Sequence, residues 1–301
     1  MRRVILVAVA VCALALIPAA AAKTVNVDIS KVGFVPSAAT IEVGDTVTWT
    51  NKDTDNHQVV CQTCPFTSPV LKPGDTYSNT FAKVGKFTTV DPLNKNKKGT
   101  VTVKAAPAAL TLSATPGTVT YGGASTVAGT LSTQQAGAKV EILAQPCGQN
   151  NSHVVATLTT TAGGAFTTGL QPTLNTVYQA RYKAAGAAAV LSPSVTVKVR
   201  PKVSLAKLAR GTFSVKVSAA DSFVGKVVVF QRYVKARRKW VTVKNVTLRT
   251  AVGSSLPLPG TTVSSATFKV KIKLHLRVRA VLPPAQAGTC YIAARSATIR
   301  S

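Results

Sequence analysis

The sequence predicts an all-β protein built from β-sandwiches joined in tandem. Valine and threonine are abundant, and these β-branched residues favour extended strands. Apolar and polar residues alternate in many short segments, whereas no window sustains a helical repeat of about 3.6 residues. A length of 301 residues suits two or three domains, each able to bury a core of its own.

The first 22 residues have the pattern of a secretory signal. Arg2 and Arg3 precede an apolar run that ends in alanines at residues 20–22. We therefore predict cleavage after Ala22 and export to the periplasm, the cell surface or the extracellular space. No later segment has the roughly 18 unbroken apolar residues of a membrane span, so no transmembrane segment is expected after cleavage.

The first mature domain is placed at residues 23–105. Its first half carries a set of spaced residues: Phe34, Pro36, Val43, Gly44, Asp45, Val47, Trp49, Asn51, Asp53 and His57. Its second half adds Phe66, Ser68, Leu71, Pro73, Gly74, Phe81, Gly85, Phe87, Gly99, Val101 and Val103. The domain thereby resembles the plastocyanin-like and azurin-like cupredoxins. The resemblance implies a Greek-key β-sandwich that binds copper and transfers electrons.

The copper ligands of that family are nearly all replaced. The family supplies an early His and then the motif Cys-x-x-His-x-x-Met, whose ligand positions here fall on Asp91, Asn94 and Lys97. His57 alone keeps its identity, and residues 65–104 contain no His, Cys or Met. A blue-copper site needs a thiolate, and an ammonium group would repel a cation. We therefore expect no cofactor at a standard type 1 site.

Cys61 and Cys64 form a Cys-x-x-Cys motif shortly after His57. Two cysteines this close commonly pair in an oxidising compartment, so a Cys61–Cys64 disulfide is the favoured interpretation. Two alternatives stay open. The thiols can be reduced and inert, or His57, Cys61 and Cys64, joined by Asp91, can bind Cu(I) or Zn(II). The metal alternative would make the protein a copper-binding electron-transfer protein with a rearranged site.

Two further sandwiches are predicted, at residues 106–200 and 201–301. The small-residue joint Lys104–Leu110 precedes the first, and a second joint lies at Val199–Val203. Short alternating segments bounded by turn residues are typical of immunoglobulin-like sandwiches. Both domains resemble bacterial Ig-like surface modules.

Cys147 and Cys290 fall in different predicted domains. An even number of cysteines in the mature chain permits a second disulfide. Their separation in the sequence leaves open whether they meet.

Basic residues concentrate in the last domain. Residues 201–301 contain 19 lysines and arginines but one aspartate, which gives +18 of the formal net charge of +27. The run Phe268–Arg279 alternates strictly, so as one strand it would place its basic groups on one face. Together with a preceding hairpin, it predicts a polyanion-binding surface of Lys269, Lys271, Lys273, Arg277, Arg279, Arg237 and Arg238.

This basic surface has two interpretations. It can attract anionic cell-envelope polymers such as lipopolysaccharide or teichoic acid, or it can be a solvated face that protects a strand edge from aggregation. Few aromatic residues interleave with the charges, so specific nucleic-acid binding is not expected.

No catalytic constellation is evident, because histidines number three and acidic residues nine in the whole chain. The sequence therefore predicts a non-enzymatic cell-envelope binding or structural protein. It carries no signal for a particular oligomeric state.

Overall fold

The computed structural model describes residues 22–94, 97–185 and 187–301. The predicted secretory signal lies outside the described residues apart from Ala22. The chain divides into two compact units, with the boundary between Ala108 and Ala109. This boundary falls within the first predicted joint.

The first unit forms two four-stranded sheets. Its strands are β1 Thr24–Ser30, β2 Gly33–Val35, β3 Ala38–Glu42, β4 Thr46–Asn51, β5 Val60–Cys61, β6 Thr76–Thr80, β7 Gly85–Val90 and β8 Lys98–Lys104. One sheet has the order β2-β1-β4-β6, and the other has the order β3-β8-β7-β5. The β1–β4 and β3–β8 pairs are parallel, whereas the other pairs are antiparallel. The all-β fold class predicted from the sequence is confirmed.

The period-two pattern of β4 connects the hydrophobic core to the polar segment that follows this strand. Val47 and Trp49 are buried, and the alternating threonines between them are half-buried. The Trp49 ring packs against Phe66 and Tyr77, with ring centroids 5.7 and 6.2 Å away. Burying one large apolar side chain contributes roughly 1.5–3 kcal/mol. The same alternation buries Asn51, the last residue of β4, which holds the polar segment that follows.

The second unit begins with two sheets between residues 109 and 200. Their strands are β9 Ser113–Thr115, β10 Thr118–Thr120, β11 Ser125–Thr130, β12 Lys139–Pro146, β13 His153–Thr159, β14 Ala165–Leu170, β15 Thr176–Tyr182, β16 Val190–Leu191 and β17 Val195–Arg200. One sheet has the order β14-β11-β9; the other has the order β10-β17-β15-β12-β13, with β16 also paired to β15. Tyr178 is buried in β15.

Two more sheets complete the second unit. Their strands are β18 Lys202–Ala209, β19 Thr212–Ala219, β20 Val227–Val234, β21 Lys239–Thr247, β22 Thr250–Ser254, β23 Thr261–Lys269, β24 Arg277–Leu282, β25 Ala294–Arg295 and β26 Ile299–Arg300. The sheet orders are β18-β19-β23-β22 and β21-β20-β24-β25, with β26 also paired to β24. Phe213, Phe230 and Phe268 bring β19, β20 and β23 together in an aromatic core.

Short helical turns complete the described part of the chain. They are the 3-10 turns Ala162–Gly164 and Lys235–Arg237 and the single-turn α-helix Pro284–Ala287. Over residues 22–94, 97–185 and 187–301, no helix has the length and apolar character that crossing a membrane requires.

The expectation of one continuous strand over Phe268–Arg279 is wrong. β23 ends at Lys269 and β24 begins at Arg277, with His275 between them in a left-handed conformation at φ 64°. The two strands belong to different sheets, so the alternating run crosses from one sheet to the other. Alternation indicates only which side chains face the core. It therefore fits two separate strands as well as one continuous strand.

The two halves of the second unit are joined by covalent and backbone contacts. Cys147 and Cys290 form a disulfide with a Cα–Cα distance of 5.2 Å, across a sequence separation of 143. The Asn175 N–H donates to the Cys290 carbonyl at 2.9 Å, and the Ile292 N–H donates to the Val199 carbonyl at 3.0 Å. The second predicted joint therefore lies inside one compact unit rather than between two.

Candidate functional site

A buried polar cluster lies between the segment after β4 and the loop that joins β7 to β8. It consists of Asp53, His57, Asp91 and Lys97, which are 6%, 2%, 1% and 5% exposed. Asp91 directly follows β7, and Lys97 directly precedes β8. The strand ends thus place both residues opposite the segment that carries Asp53 and His57.

The His57 imidazole is at the centre of the cluster. Its Nδ1 lies 2.5 Å from Asp91 Oδ2, and its Nε2 lies 3.3 Å from Asp53 Oδ2. The Lys97 ammonium lies 3.4 Å from His57 Nε2 and 3.3 Å from Asp53 Oδ2. An ammonium can only donate, so its contact with the ring assigns a neutral imidazole with its proton on Nδ1. In this tautomer His57 donates to Asp91 and accepts from Lys97.

Hydrogen bonds to the backbone hold His57 and Asp53 in addition to their charge interactions. The His57 N–H donates to the Leu71 carbonyl at 3.0 Å, and the Leu71 N–H donates back at 2.7 Å. The Asn51 side chain accepts from the Asp53 N–H at 2.8 Å and donates to the Leu71 carbonyl at 2.9 Å. Asn51 therefore links β4 to Asp53 and to Leu71, the backbone partner of His57.

The β7–β8 loop holds the Asp91 carboxylate from the other side. Its Oδ1 accepts from the Gln58 N–H at 3.2 Å and from the Leu93 N–H at 3.0 Å. The Asp91 N–H donates to the Lys97 carbonyl at 3.2 Å, which closes the loop. Asn94 caps the turn through its backbone but is exposed. Of the residues aligned with the missing copper ligands, Asp91 and Lys97 reach His57, whereas Asn94 remains at the surface.

Asp53 is held in its ionised form. Burial by itself raises the pKa of this carboxyl, but hydrogen bonds from the Thr54 N–H and from Lys97 lower the pKa, and the net result lies below its ordinary value. The nearby Lys97 charge adds to the same effect. An ammonium placed between a carboxylate and an imidazole is thus electrostatically matched to its neighbours.

The residues of this cluster do not fit a copper centre. Among the described residues, no group of three or more His, Cys, Asp or Glu side chains is arranged to hold a metal ion. The carboxylates of Asp53 and Asp91 face different nitrogens of His57, so they do not converge on one point. In the described chain, no buried side-chain nitrogen or oxygen lacks a hydrogen-bond partner. The cluster thus has no unsatisfied donor atom directed at an ion.

The cysteines of the Cys-x-x-Cys motif are joined to each other in the structure. Cys61 and Cys64 form a disulfide with a Cα–Cα distance of 5.3 Å. A disulfide sulfur is not the thiolate that metals bind. Both nitrogens of His57 contact other groups, so the structure does not assemble the alternative site of His57, Cys61 and Cys64.

Comparison with known proteins supports the interpretation of the first unit. The family model of the cupredoxin-like domain matches residues 3–103. The first unit is a cupredoxin-like domain. Among curated proteins, no significant match is found.

Several solved cupredoxin structures are similar to this part of the chain. A purple cupredoxin from Nitrosopumilus maritimus is 27% identical over 26% of this chain and 98% of its own, with a TM-score of 0.25. A Cu(I) mutant of amicyanin is 28% identical over 27% of this chain and 82% of its own, with a TM-score of 0.26. An oxidized amicyanin mutant is 29% identical over 29% of this chain and 85% of its own, with a TM-score of 0.25.

The predicted polyanion-binding residues lie in three different settings. Lys269 ends β23, Lys271 and Lys273 lie in the exposed loop that follows, and Arg277 and Arg279 lie in β24. The remaining two occupy the exposed tip of the β20–β21 hairpin: Arg237 and Arg238. The basic surface is therefore spread over a loop, a hairpin tip and a sheet face, not along a single strand.

The sheet face carries aromatic partners that sequence reasoning missed. The Arg279 guanidinium lies over the Trp240 ring at 4.1 Å from its centroid, and the Arg277 guanidinium lies over Tyr233 at 5.2 Å. Strand pairing places Tyr233 opposite Trp240. The usable signal was the hairpin itself, since cross-strand residues share a face, but its pairing with β24 could not be read from the sequence.

Proposed function

We propose that this is an exported, non-enzymatic protein of the cell envelope, whose cupredoxin-like domain serves as a stable scaffold instead of an electron carrier. The observation that carries this proposal is the position of Lys97. Its ammonium lies 3.3 Å from Asp53 and 3.4 Å from His57, within the cluster that includes the aligned ligand position Asp91. A fixed cation thus stands where the resemblance implies a metal.

Lys97 gives the domain a charge balance that does not depend on an ion. Buried carboxylates are costly unless they are paired and hydrogen-bonded. The Lys97 ammonium neutralises Asp53, while His57 and two backbone N–H groups satisfy Asp91. The β7–β8 loop is consequently fastened to the segment after β4 by side chains that the chain itself supplies.

The proposed binding role rests on the second unit. Residues 201–301 carry +18 of the formal net charge. The positive electrostatic potential of such a surface raises the local concentration of anionic polymers. An exported protein meets lipopolysaccharide, teichoic acid or acidic polysaccharide in the envelope. The second unit would bind these polymers, and the cupredoxin-like domain would serve as a scaffold.

Metal analysis of protein purified from its native compartment tests the proposal. We expect neither copper nor zinc at one ion per chain. The competing function, copper-mediated electron transfer, would require stoichiometric copper that is lost in His57→Ala. Retention of the same preparation on immobilised teichoic acid or lipopolysaccharide tests the binding role independently of the metal content.

A further inference from the structure

A cleft of about 590 Å³ lies within the second unit, where its two pairs of sheets meet. The end of β17 and the start of β18 form one wall, and β24 and β25 form the other. The side chains of Ala293 and Ala294 line the second wall. Because alanine side chains are small, they leave space between the walls.

The cleft is lined by basic residues from both walls: Arg200, Lys202, Arg279 and Arg295. Among the residues that the structure describes, no acidic side chain lines the cleft. None of these side chains takes part in an ion pair within residues 22–94, 97–185 and 187–301. Like charges brought together without a counter-charge repel each other, and a bound anion would relieve that repulsion.

Arg279 is positioned in advance by its neighbours. Its Nε donates to Gln231 Oε1 at 2.9 Å, and its guanidinium stacks on Trp240 at 4.1 Å. β25 pairs with β24, and Arg295 lies opposite Val281. Val281 is two residues from Arg279 in β24, so Arg295 and Arg279 share one face of the sheet. Burial, and then the charge of Arg295, lower the pKa of Arg279. The two arginines are thus held near one another by the sheet.

The walls of the cleft are held at a fixed separation. The Cys147–Cys290 disulfide and the hydrogen bond from Ile292 to the Val199 carbonyl tie the second wall to the first. Val199 immediately precedes Arg200, and Ile292 precedes Ala293. A site with little freedom to collapse or open loses less entropy when a ligand binds.

We propose that this cleft binds phosphate groups of an anionic envelope polymer. The proposal deepens and rests on the envelope-binding function given above, because it names the site and the chemical class that would be bound. Arginine guanidinium groups match phosphate oxygens with paired N–H donors. A phosphate group offers oxygens in several directions, which suits cations that approach from two walls, and the volume admits two neighbouring phosphates.

Titration calorimetry of the full mature chain with inorganic pyrophosphate tests the site, with citrate as a carboxylate probe. The cleft variant Arg200→Gln/Arg295→Gln is compared with Lys139→Gln/Lys183→Gln, which removes equal charge from lysines outside both the cleft and the predicted polyanion-binding surface. All four residues are exposed, so both variants should keep the wild-type fold, as circular dichroism would verify. We expect the pyrophosphate Kd to rise by about tenfold or more in the cleft variant and by less than about twofold in the control variant.

Several outcomes would overturn the proposal. Equal weakening in both variants would mean that pyrophosphate responds to diffuse charge. Citrate binding as tight as pyrophosphate binding would exclude selectivity for phosphate. No pyrophosphate binding by the wild type would rule out the cleft. If the wild type is still retained on immobilised envelope polymer in these cases, the proposed function stands without this site, whereas loss of that retention removes both.

Discussion

The Lys97 ammonium lies 3.4 Å from Nε2 of His57, the residue that the resemblance to cupredoxins matches to a copper ligand. The contact uses the lone pair that a metal would need, and it places a positive charge beside that lone pair. His57 is thereby retained as a hydrogen-bonding residue that joins two parts of the domain. Under the proposed function, His57 is therefore kept without the metal chemistry that the resemblance implies.

The first prediction concerns copper. Mature protein mixed with Cu(II) should show no intense blue thiolate-to-copper absorption band, because Asp91 stands at the thiolate position and Cys61 is paired with Cys64. Visible absorption and copper retained after gel filtration are the measurements. A blue species in the wild type that disappears in His57→Ala would contradict this prediction.

A triple variant provides the positive control for the copper experiment. Asp91→Cys, Asn94→His and Lys97→Met together restore the ligand types that the resemblance implies, on a loop bounded by the same strands. We expect this variant to bind copper and gain visible absorption, whereas Lys97→Met alone should not. Failure of a folded triple variant to bind copper would show that the exposed position of Asn94 cannot supply a ligand.

The second prediction concerns the stability contributed by Lys97. Lys97→Met leaves the buried Asp53 carboxylate without its ammonium partner, and breaking a buried ion pair in this way costs about 3 kcal/mol or more. Chemical unfolding followed by Trp49 fluorescence in a Trp240→Phe background measures the change in the first unit. The matched control is Lys98→Met, because Lys98 is the adjacent lysine and is exposed; its effect should stay within about 0.5 kcal/mol. Equal stability of the two variants would show that the cluster contributes little.

The third prediction concerns pH. The folded state lowers the pKa of Asp53 below its ordinary value of 3.8. At pH values near 3.8, the folded chain therefore binds fewer protons than the unfolded chain. The resulting stabilisation is complete above that value and is lost as the pH falls through the folded-state pKa.

Unfolding experiments on the first unit at pH 6 and pH 3 measure this effect. Asp53→Asn should be less stable than the wild type at pH 6 and should lose less stability between the two conditions. Asp55→Asn, at a nearby exposed carboxyl, should follow the wild type. If Asp53→Asn loses as much stability between pH 6 and pH 3 as the wild type does, Asp53 is excluded as a source of the pH dependence.

The fourth prediction concerns the disulfides. Peptide mapping without reduction should recover Cys61 linked to Cys64 and Cys147 linked to Cys290. The second bridge closes a loop across a sequence separation of 143, so Cys147→Ser/Cys290→Ser should destabilise the second unit by about 2–5 kcal/mol. Cys61→Ser/Cys64→Ser should cost less, because closing a short loop removes little entropy from the unfolded chain. Free thiols at Cys147 and Cys290 would contradict the pairing.

Local pattern predicted the parts of this structure that depend on neighbouring residues. The spaced residues that carry the resemblance included Val47 and Trp49, which are buried in β4, and alignment of the β7–β8 loop placed Asp91 and Lys97 at the positions of the lost ligands. Asp53 was matched to the family but given no role at the site, because its contact with Lys97 spans 44 residues of sequence.

Features that depend on how sheets associate could not be predicted. The strict alternation of Phe268–Arg279 is compatible with one strand or with two strands in different sheets, and the chain adopts the second arrangement. The pairing of Cys147 with Cys290 likewise depends on how distant strands pack. The basic cleft follows from the same packing, since Arg200 and Arg295 are far apart in the sequence.

The fifth prediction concerns retention on envelope polymers by the basic loop and sheet face. Lys271→Glu, Lys273→Glu and Arg277→Glu reverse charges at exposed positions, so the fold should be unchanged while the buried Phe268 and Val278 keep the core intact. Retention on immobilised teichoic acid or lipopolysaccharide should fall in this variant. It should also fall for the wild type as salt rises, since exposed charges are screened beyond a Debye length of about 8 Å at physiological ionic strength.

Because the cleft residues are unchanged, pyrophosphate binding should persist in the charge-reversed protein. Retention that is indifferent to both salt and charge reversal would leave this basic surface as an aid to solubility, without an envelope partner.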